Sequence, residues 1–140
     1  MAALVSLHAR RGFEGQAAMA LEFAAGSRVE PPYPWELDAG VADPSALVDA
    51  ILADLHAGHD AAFISARFHA SLADLALAWA QLSGLPDVVL SGGCFQNAWL
   101  TELVQAKLSV AGFRVHRHRA FPPNDGCISL GQAVVAARQG

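Results

Sequence analysis

Two polar segments hold the residue types best suited to chemistry in this 140-residue chain. The first is Ser91-Gly92-Gly93-Cys94-Phe95-Gln96-Asn97, which follows the apolar run Val88-Val89-Leu90, and the second is Phe121-Pro122-Pro123-Asn124-Asp125-Gly126. Each is expected to place a polar loop at the mouth of a helix. Glycine at 92 and 93 lets a ligand approach the backbone with no side chain in the way. The following helix would present free N–H groups and the positive end of its dipole, where a phosphate or adenylate is the natural guest. Asn97, expected one turn into that helix, would offer its amide to a ribose or phosphate oxygen. Glycines also serve tight strand-to-helix turns for geometry alone, and that reading stands beside the first.

In the second segment two prolines stiffen the approach, and Asn124-Asp125-Gly126 is turn chemistry that brings Asp125 to the start of the last helix. As an N-cap its carboxylate would contribute about 0.5–2 kcal/mol. As a ligand it would hold a hard cation that bridges to phosphate. His56 with His59, and His116 with His118 on one strand face, are chelating pairs in principle, but neither has an obvious carboxylate partner in sequence. Exposed surface is their simpler role. His69 is expected to be packed or at the surface of a helix, and Cys94 to serve packing.

The elements that must position these groups follow from periodicity. Ala17, Ala18, Leu21 and Ala24 mark a helix over Glu14 to Ala25 that Gly26 stops. Glu30-Pro31-Pro32-Tyr33-Pro34-Trp35 is a connector, because proline removes donors and extends its predecessor, and it leads to a short strand near Trp35 to Leu37. Asp43-Pro44 opens a helix with Leu47, Val48, Ile51, Leu52 and Leu55 on one face, ended by Gly58. A longer helix carries Ile64, Phe68, Leu72, Leu75, Trp79 and Leu82 up to Gly84. Val88 to Leu90 reads as a strand covered on both faces, then comes a helix through Leu100, Leu103, Val104 and Leu108. The alternating run from Phe113 to His118 is a second strand, and a helix from about Cys127 to Arg138 closes the chain. Strand, helix, strand, helix predicts an α/β layer with a parallel pair behind a helix-rich N-terminal half.

Composition narrows the classes. The length suits one domain. The hydrophobic content of 54% is interrupted by charges too often for a membrane span. The first residues have neither the basic start nor the cleavage site of a signal peptide, and a cytoplasmic location is expected. A net charge of −4 disfavours a nucleic-acid surface, although Arg114 to Arg119 is locally basic. Two distant cysteines form neither a disulfide framework nor a zinc knuckle. The glycine turn lacks the GK[ST] ending of a P-loop and the spacing of a dinucleotide fold, and Ser91 is in no nucleophile elbow.

Leu90 to Asn97, Gly112-Phe113-Arg114-Val115, Pro122 to Gly126, Leu130-Gly131-Gln132-Ala133, and Phe13-Glu14-Gly15-Gln16-Ala17-Ala18 with Leu21-Glu22 closely resemble, in order and spacing, the C-terminal end of the HypF family of hydrogenase maturation carbamoyltransferases. The resemblance spans nearly the whole chain. It implies an actin-like ATPase lobe (ASKHA, RNase H-like) with a mainly parallel sheet and flanking helices, a lobe shared with the tRNA threonylcarbamoyl transferases. It also implies formation of carbamoyl adenylate from carbamoyl phosphate and ATP. The carbamoyl group then passes to the C-terminal cysteine of a HypE-type partner, for the cyanide ligands of [NiFe] hydrogenase. Carried over by position, Gly92, Gly93 and Asn97 would hold phosphates or ribose, Gly15 and Glu22 would face the adenosine, and Asp125 would bind a divalent metal (zinc, iron or magnesium).

The family's histidine-rich metal motif and its other modules have no counterpart in these residues. The expectation is therefore the last part of a larger carbamoyltransferase, over residues 1–140, that binds metal weakly by itself. The competing expectation is a noncatalytic nucleotide-binding or protein-interaction module, docking or self-associating through the Ile64 to Leu82 stripe and through surface left open by an absent lobe. A sugar kinase relative is a weaker third, since no sugar-selecting loop is evident.

Overall fold

The computed structural model describes residues 1–7 and 12–139. Its elements in order are α1 (Gln16–Ala25), β1 (Glu36–Asp38), β2 (Val41–Asp43), α2 (Ser45–His56), α3 (Ala61–Ser83), β3 (Asp87–Leu90), α4 (Ala98–Val110), β4 (Arg114–Arg117) and α5 (Ile128–Gln139). Short 3-10 turns cover Gly93–Gln96 and Asp125–Cys127. The N-terminal residues 1–7 form turns that bury Ala2 and Val5.

The spine is α3, 23 residues and roughly 34 Å long at 1.5 Å per residue. Asp60 caps it by accepting the Phe63 N–H at 2.7 Å, and Gly84 ends it with φ of 66°. Its length lets one helix serve two cores. The first half packs Ile64 with Leu21, Tyr33, Leu47 and Ile51 from α1, the connector and α2. The second half packs Ala73 and Ala80 with Leu90, Leu100, Val104 and Leu108 from β3 and α4. Each of the larger aliphatic side chains contributes about 1.5–3 kcal/mol by leaving water.

The proline-rich connector is pinned to α3 through the donors it retains. The Tyr33 N–H donates to Ser71 Oγ at 2.7 Å and the Trp35 indole to the Ser71 carbonyl at 2.8 Å. Tyr33 Oη and Arg67 both donate to Asp54 at 2.7 Å, and the Arg67 guanidinium lies over the Tyr33 ring. Burial, then the Asp54 carboxylate, pushes the phenol above its ordinary range.

The parallel pair is present, with β3 beside β4 in register Val88 to Val115 and α4 as the crossover. Two sequence expectations need correction. Val89 is 65% exposed, so β3 is covered on one face only among the described residues, by α3 and α4 on its Leu90 side. The sheet is also smaller than a mainly parallel layer, because β1 and β2 form a separate antiparallel hairpin across Ala39-Gly40. The expected apolar stripe on α3 faces inward at Ile64 and Leu75 and is exposed only at its end, at Trp79 and Leu82. No helix is long and apolar enough to cross a membrane among the described residues.

Candidate functional site

The two polar segments meet. The Gly92 N–H donates to the Pro123 carbonyl at 2.6 Å, which joins the turn after β3 to the loop after β4. Beside this junction Ser91 Oγ lies 3.1 Å from His118 Nε2. Gly92 sits at φ of 98°, which an L side chain rarely tolerates, and a Cβ at Gly92 or Gly93 would stand in open space. The backbone here is approachable, as the glycines suggested.

The helix mouth differs from expectation. The Gly93–Gln96 turn intervenes, and α4 begins only at Ala98 with Asn97 as its N-cap, so Asn97 is not one turn in. Asn97 Oδ1 accepts the Leu100 N–H at 2.8 Å. Glu22 Oε1, reaching over from α1, accepts from Ala98 at 2.7 Å and from Trp99 at 3.5 Å. The amides expected to be free for an anion are thus already met by a side-chain amide and a carboxylate of the chain, because an unpaired helix terminus attracts whatever acceptor the fold brings near. Glu22 keeps Oε2, and the Asn97 amide keeps one N–H, for other partners.

Behind Asn97 stands His69, 2% exposed on α3. Its Nε2 is 2.8 Å from Asn97 Nδ2 and its Nδ1 is 2.8 Å from the Ser65 carbonyl. Burial holds its pKa below the ordinary imidazole value. Of the two places expected for His69, packed or at the surface, it takes the packed one, and it also orients Asn97, a role the sequence did not suggest. The 28 residues between them carry no spacing signal. Next to the cap, the Trp99 indole N–H is buried without an acceptor among the described residues.

A cleft of about 400 Å³ opens beside the glycine turn, between the Gln96, Thr101 and Glu102 side and the Arg117, His118, Arg119 and Pro123 side. Asp125 is exposed in the 3-10 turn before α5, where Asn124 Oδ1 accepts the Gly126 N–H at 3.0 Å and takes the turn-capping role expected of Asp125. Gly15 caps α1 at φ of 80°.

Three further expectations are revised. Cys94 is exposed, since the 3-10 turn lifts it off the core, so it does not serve packing. His116 does have a carboxylate partner, Asp87 on the neighbouring strand, at 2.9 Å. Arg114 grips the same carboxylate through Nε at 2.8 Å and through Nη2, and with His116 holds Asp87 well below the usual carboxylate range. His118 lies beyond the end of β4 and pairs with Ser91, so the two histidines do not chelate together. His56 bonds the Leu52 carbonyl and His59 stacks on Phe63. Among the described residues no three His, Cys, Asp or Glu side chains converge as a metal cage, so the set around Asp125 does not by itself fit a metal.

Comparison with known proteins identifies the family. Residues 1–132 match the family model described as the carbamoyltransferase Kae1-like domain, second subdomain. The Synechocystis sp. carbamoyltransferase HypF is 38% identical over 146 residues, which cover 99% of this chain and 19% of that protein. A HypF homolog of Cupriavidus necator is 39% identical over 99% of this chain and 38% of its own length. The crystal structure of a full-length HypF in its phosphate- and nucleotide-bound form superposes with a TM-score of 0.91 at 40% identity, over 98% of this chain and 19% of that one. T. kodakarensis HypF gives 0.79 at 26% identity. The chain spans about a fifth of the length of most of these relatives. It belongs to the family of the carbamoyltransferase Kae1-like domain, second subdomain, found in HypF proteins.

Proposed function

We propose that this chain is the C-terminal part of a HypF-type carbamoyltransferase and forms one side of the site where ATP and carbamoyl phosphate become carbamoyl adenylate. The carbamoyl group would then pass to the terminal cysteine of a HypE-type partner, in the cytoplasm, for cyanide ligand synthesis in hydrogenase maturation. The lobe would be of the actin-like ATPase kind. The observation that carries the reading is the Gly92 to Pro123 hydrogen bond, which makes one rim of the glycine turn and the Asp125 turn.

In this reading the open backbone at Gly92 and Gly93 approaches the phosphates. Glu22 faces the nucleoside through Oε2 while Oε1 stays on α4, Asn97 offers its remaining N–H, and Gly15 opens α1, the helix that carries Glu22. Developing charge at phosphorus and carbonyl oxygen would be met by donors already fixed in place. The nucleotide-bound state of a HypF with the same fold supports the nucleotide assignment. Asp125 would contribute one metal ligand, the others coming from outside this chain.

The test is calorimetric titration of the chain with ATP. Gly93→Val fills the approach where a Cβ meets nothing and no left-handed φ is required. Weakened ATP binding at unchanged melting temperature is the expected result, and unchanged affinity would sink the site. Tight metal binding together with carbamoyl transfer by this chain alone would defeat the view that it is one part of a larger enzyme.

A second reading, a noncatalytic interaction module, is favoured by α5, which buries none of its residues and exposes Ile128, Leu130, Val134 and Val135. Sedimentation of the chain with Val134→Glu and Val135→Glu against the parent decides it. Self-association through α5 should vanish in the variant, and a monomeric parent removes this reading.

A further inference from the structure

The cleft at the carboxyl ends of β3 and β4 holds positive charge that the nucleotide reading does not use. Arg117 closes β4, His118 and Arg119 follow it, and all three line the cleft opposite Gln96, Thr101 and Glu102. The two ends of the strand pair differ in kind. At the amino end Arg114 is committed to Asp87. At the carboxyl end neither Arg117 nor Arg119 has an ion-pair partner among the described residues. In open parallel α/β layers ligands sit beyond the carboxyl ends of the strands, and here the uncommitted cations gather at that edge.

Two guanidiniums against the single carboxylate of Glu102 leave the cleft positive before His118 is counted. Guanidinium forks match phosphate oxygens in geometry and charge. Three consecutive donor side chains suit a group with three or four acceptor oxygens better than a carboxylate with two. Ser91, 3.1 Å from His118 Nε2, sets the imidazole at the cleft wall and ties it to the turn after β3. We infer that this cleft is a phosphate-binding subsite in which Arg117 and Arg119 take the oxygens of a phosphate dianion and His118 adds a third contact. It goes beyond the nucleotide reading, because it uses none of Gly92, Gly93, Asn97 or Glu22.

The test is a phosphorus NMR titration of the full chain at constant ionic strength, with inorganic phosphate and AMP as probes, acetate as a competitor against phosphate, and adenosine binding followed separately by calorimetry. Arg117→Ala and Arg119→Ala should each weaken phosphate binding about tenfold or more, the scale of a lost charge-assisted hydrogen bond. Arg114→Ala removes the same charge from the same strand and should leave phosphate affinity unchanged. Glu102→Gln removes repulsion without removing a donor, so it should tighten phosphate binding, a gain that no misfolded variant mimics. An Arg114→Ala loss equal to that of Arg117→Ala, acetate bound as well as phosphate, or no saturable phosphate binding would each overturn the subsite. Arg117 dependence shared by AMP upholds it for an esterified phosphate, and dependence confined to inorganic phosphate upholds it for the free ion. Loss of adenosine binding alone overturns only the nucleotide reading, since the subsite is read from phosphate.

Discussion

Asn97 Nδ2 stands 2.8 Å from His69 Nε2, and this contact fixes both the tautomer of the ring and the orientation of the amide. His69 Nδ1 faces only a carbonyl, that of Ser65, so Nδ1 carries the proton and Nε2 accepts. The Asn97 amide must then point its NH2 at the ring, which leaves Oδ1 to cap α4 at Leu100.

A proton on Nε2 would set two donors against each other and either flip Asn97, uncapping Leu100, or break the contact. Burial lowers the folded pKa of His69 from 6.5, so the unfolded chain takes up this proton first. The contribution to stability is complete above 6.5 and is lost as pH falls from there toward the lower folded value. Urea unfolding of the parent should therefore give decreasing stability below pH 6.5. His69→Gln should be less stable at pH 7.5 by about 1–3 kcal/mol and should lack this part of the pH slope. An unchanged slope in the variant would rule out the mechanism.

Glu22 ties α1 to the first turn of α4 with one carboxylate oxygen on two amides. Glu22→Ala should cost about 0.5–2 kcal/mol, the range for loss of a helix cap. Glu22→Gln keeps an acceptor but loses the charge that complements the helix dipole, so it should cost less. Thermal melts of both variants at neutral pH check the order, and equal losses would show that the charge, not the hydrogen bond, matters.

Much of this fold was legible in the sequence, since Gly84 and the Ile64 to Leu82 periodicity define α3, and Val88 to Leu90 with Phe113 to His118 define the parallel pair. The glycine turn and the Asp125 loop were legible as polar mouths, and their meeting at Gly92 and Pro123 needed only two adjacent parallel strands. Other features depended on tertiary partners. That Glu22 would fill the α4 terminus turns on a contact across 76 residues, and local spacing cannot encode it. Exposure of Val89 was misread because a continuous apolar strand implies two covers, and the described residues supply one. The β2 strand was hidden by Asp43-Pro44, which reads as a helix start. Asp43 does both jobs, ending β2 and accepting the Ser45 N–H at 2.8 Å.

Leu108 is fully buried where α4 meets α3 and β3, in the core that supports the glycine turn. Leu108→Ala should destabilise the chain by about 2–5 kcal/mol through lost burial and the cavity left behind. Ile64→Val, in the other core, removes one methylene and should cost about 0.5–1.5 kcal/mol. Denaturant midpoints measure both. If Leu108→Ala melts the α4 region while the Tyr33 environment stays native by fluorescence, the two cores on α3 unfold separately.

The turn between β1 and β2 places Ala39 at φ of 46° and Gly40 at 84°. Both central residues are left-handed, as in the two-residue hairpin turns whose twist matches that of the strands. Gly40 adopts this without penalty. Ala39 does not, because its Cβ crowds the following carbonyl at a cost of roughly 1 kcal/mol. Asparagine tolerates this conformation better and, unlike glycine, does not loosen the unfolded chain as much. Ala39→Asn should therefore raise stability by about 0.5–1 kcal/mol and Ala39→Gly by less. Ala39→Val should lower it, since a β-branched residue at positive φ is strained. The hairpin also receives the Trp79 indole at the Gly40 carbonyl, 2.9 Å away, so a tighter turn should hold the exposed end of α3 more firmly. Amide exchange at Trp79 and its neighbours reads that coupling, and slower exchange in Ala39→Asn, with the same order of melting temperatures, is the expected outcome. Faster exchange with a higher melting temperature would show that the turn and the helix end are energetically separate.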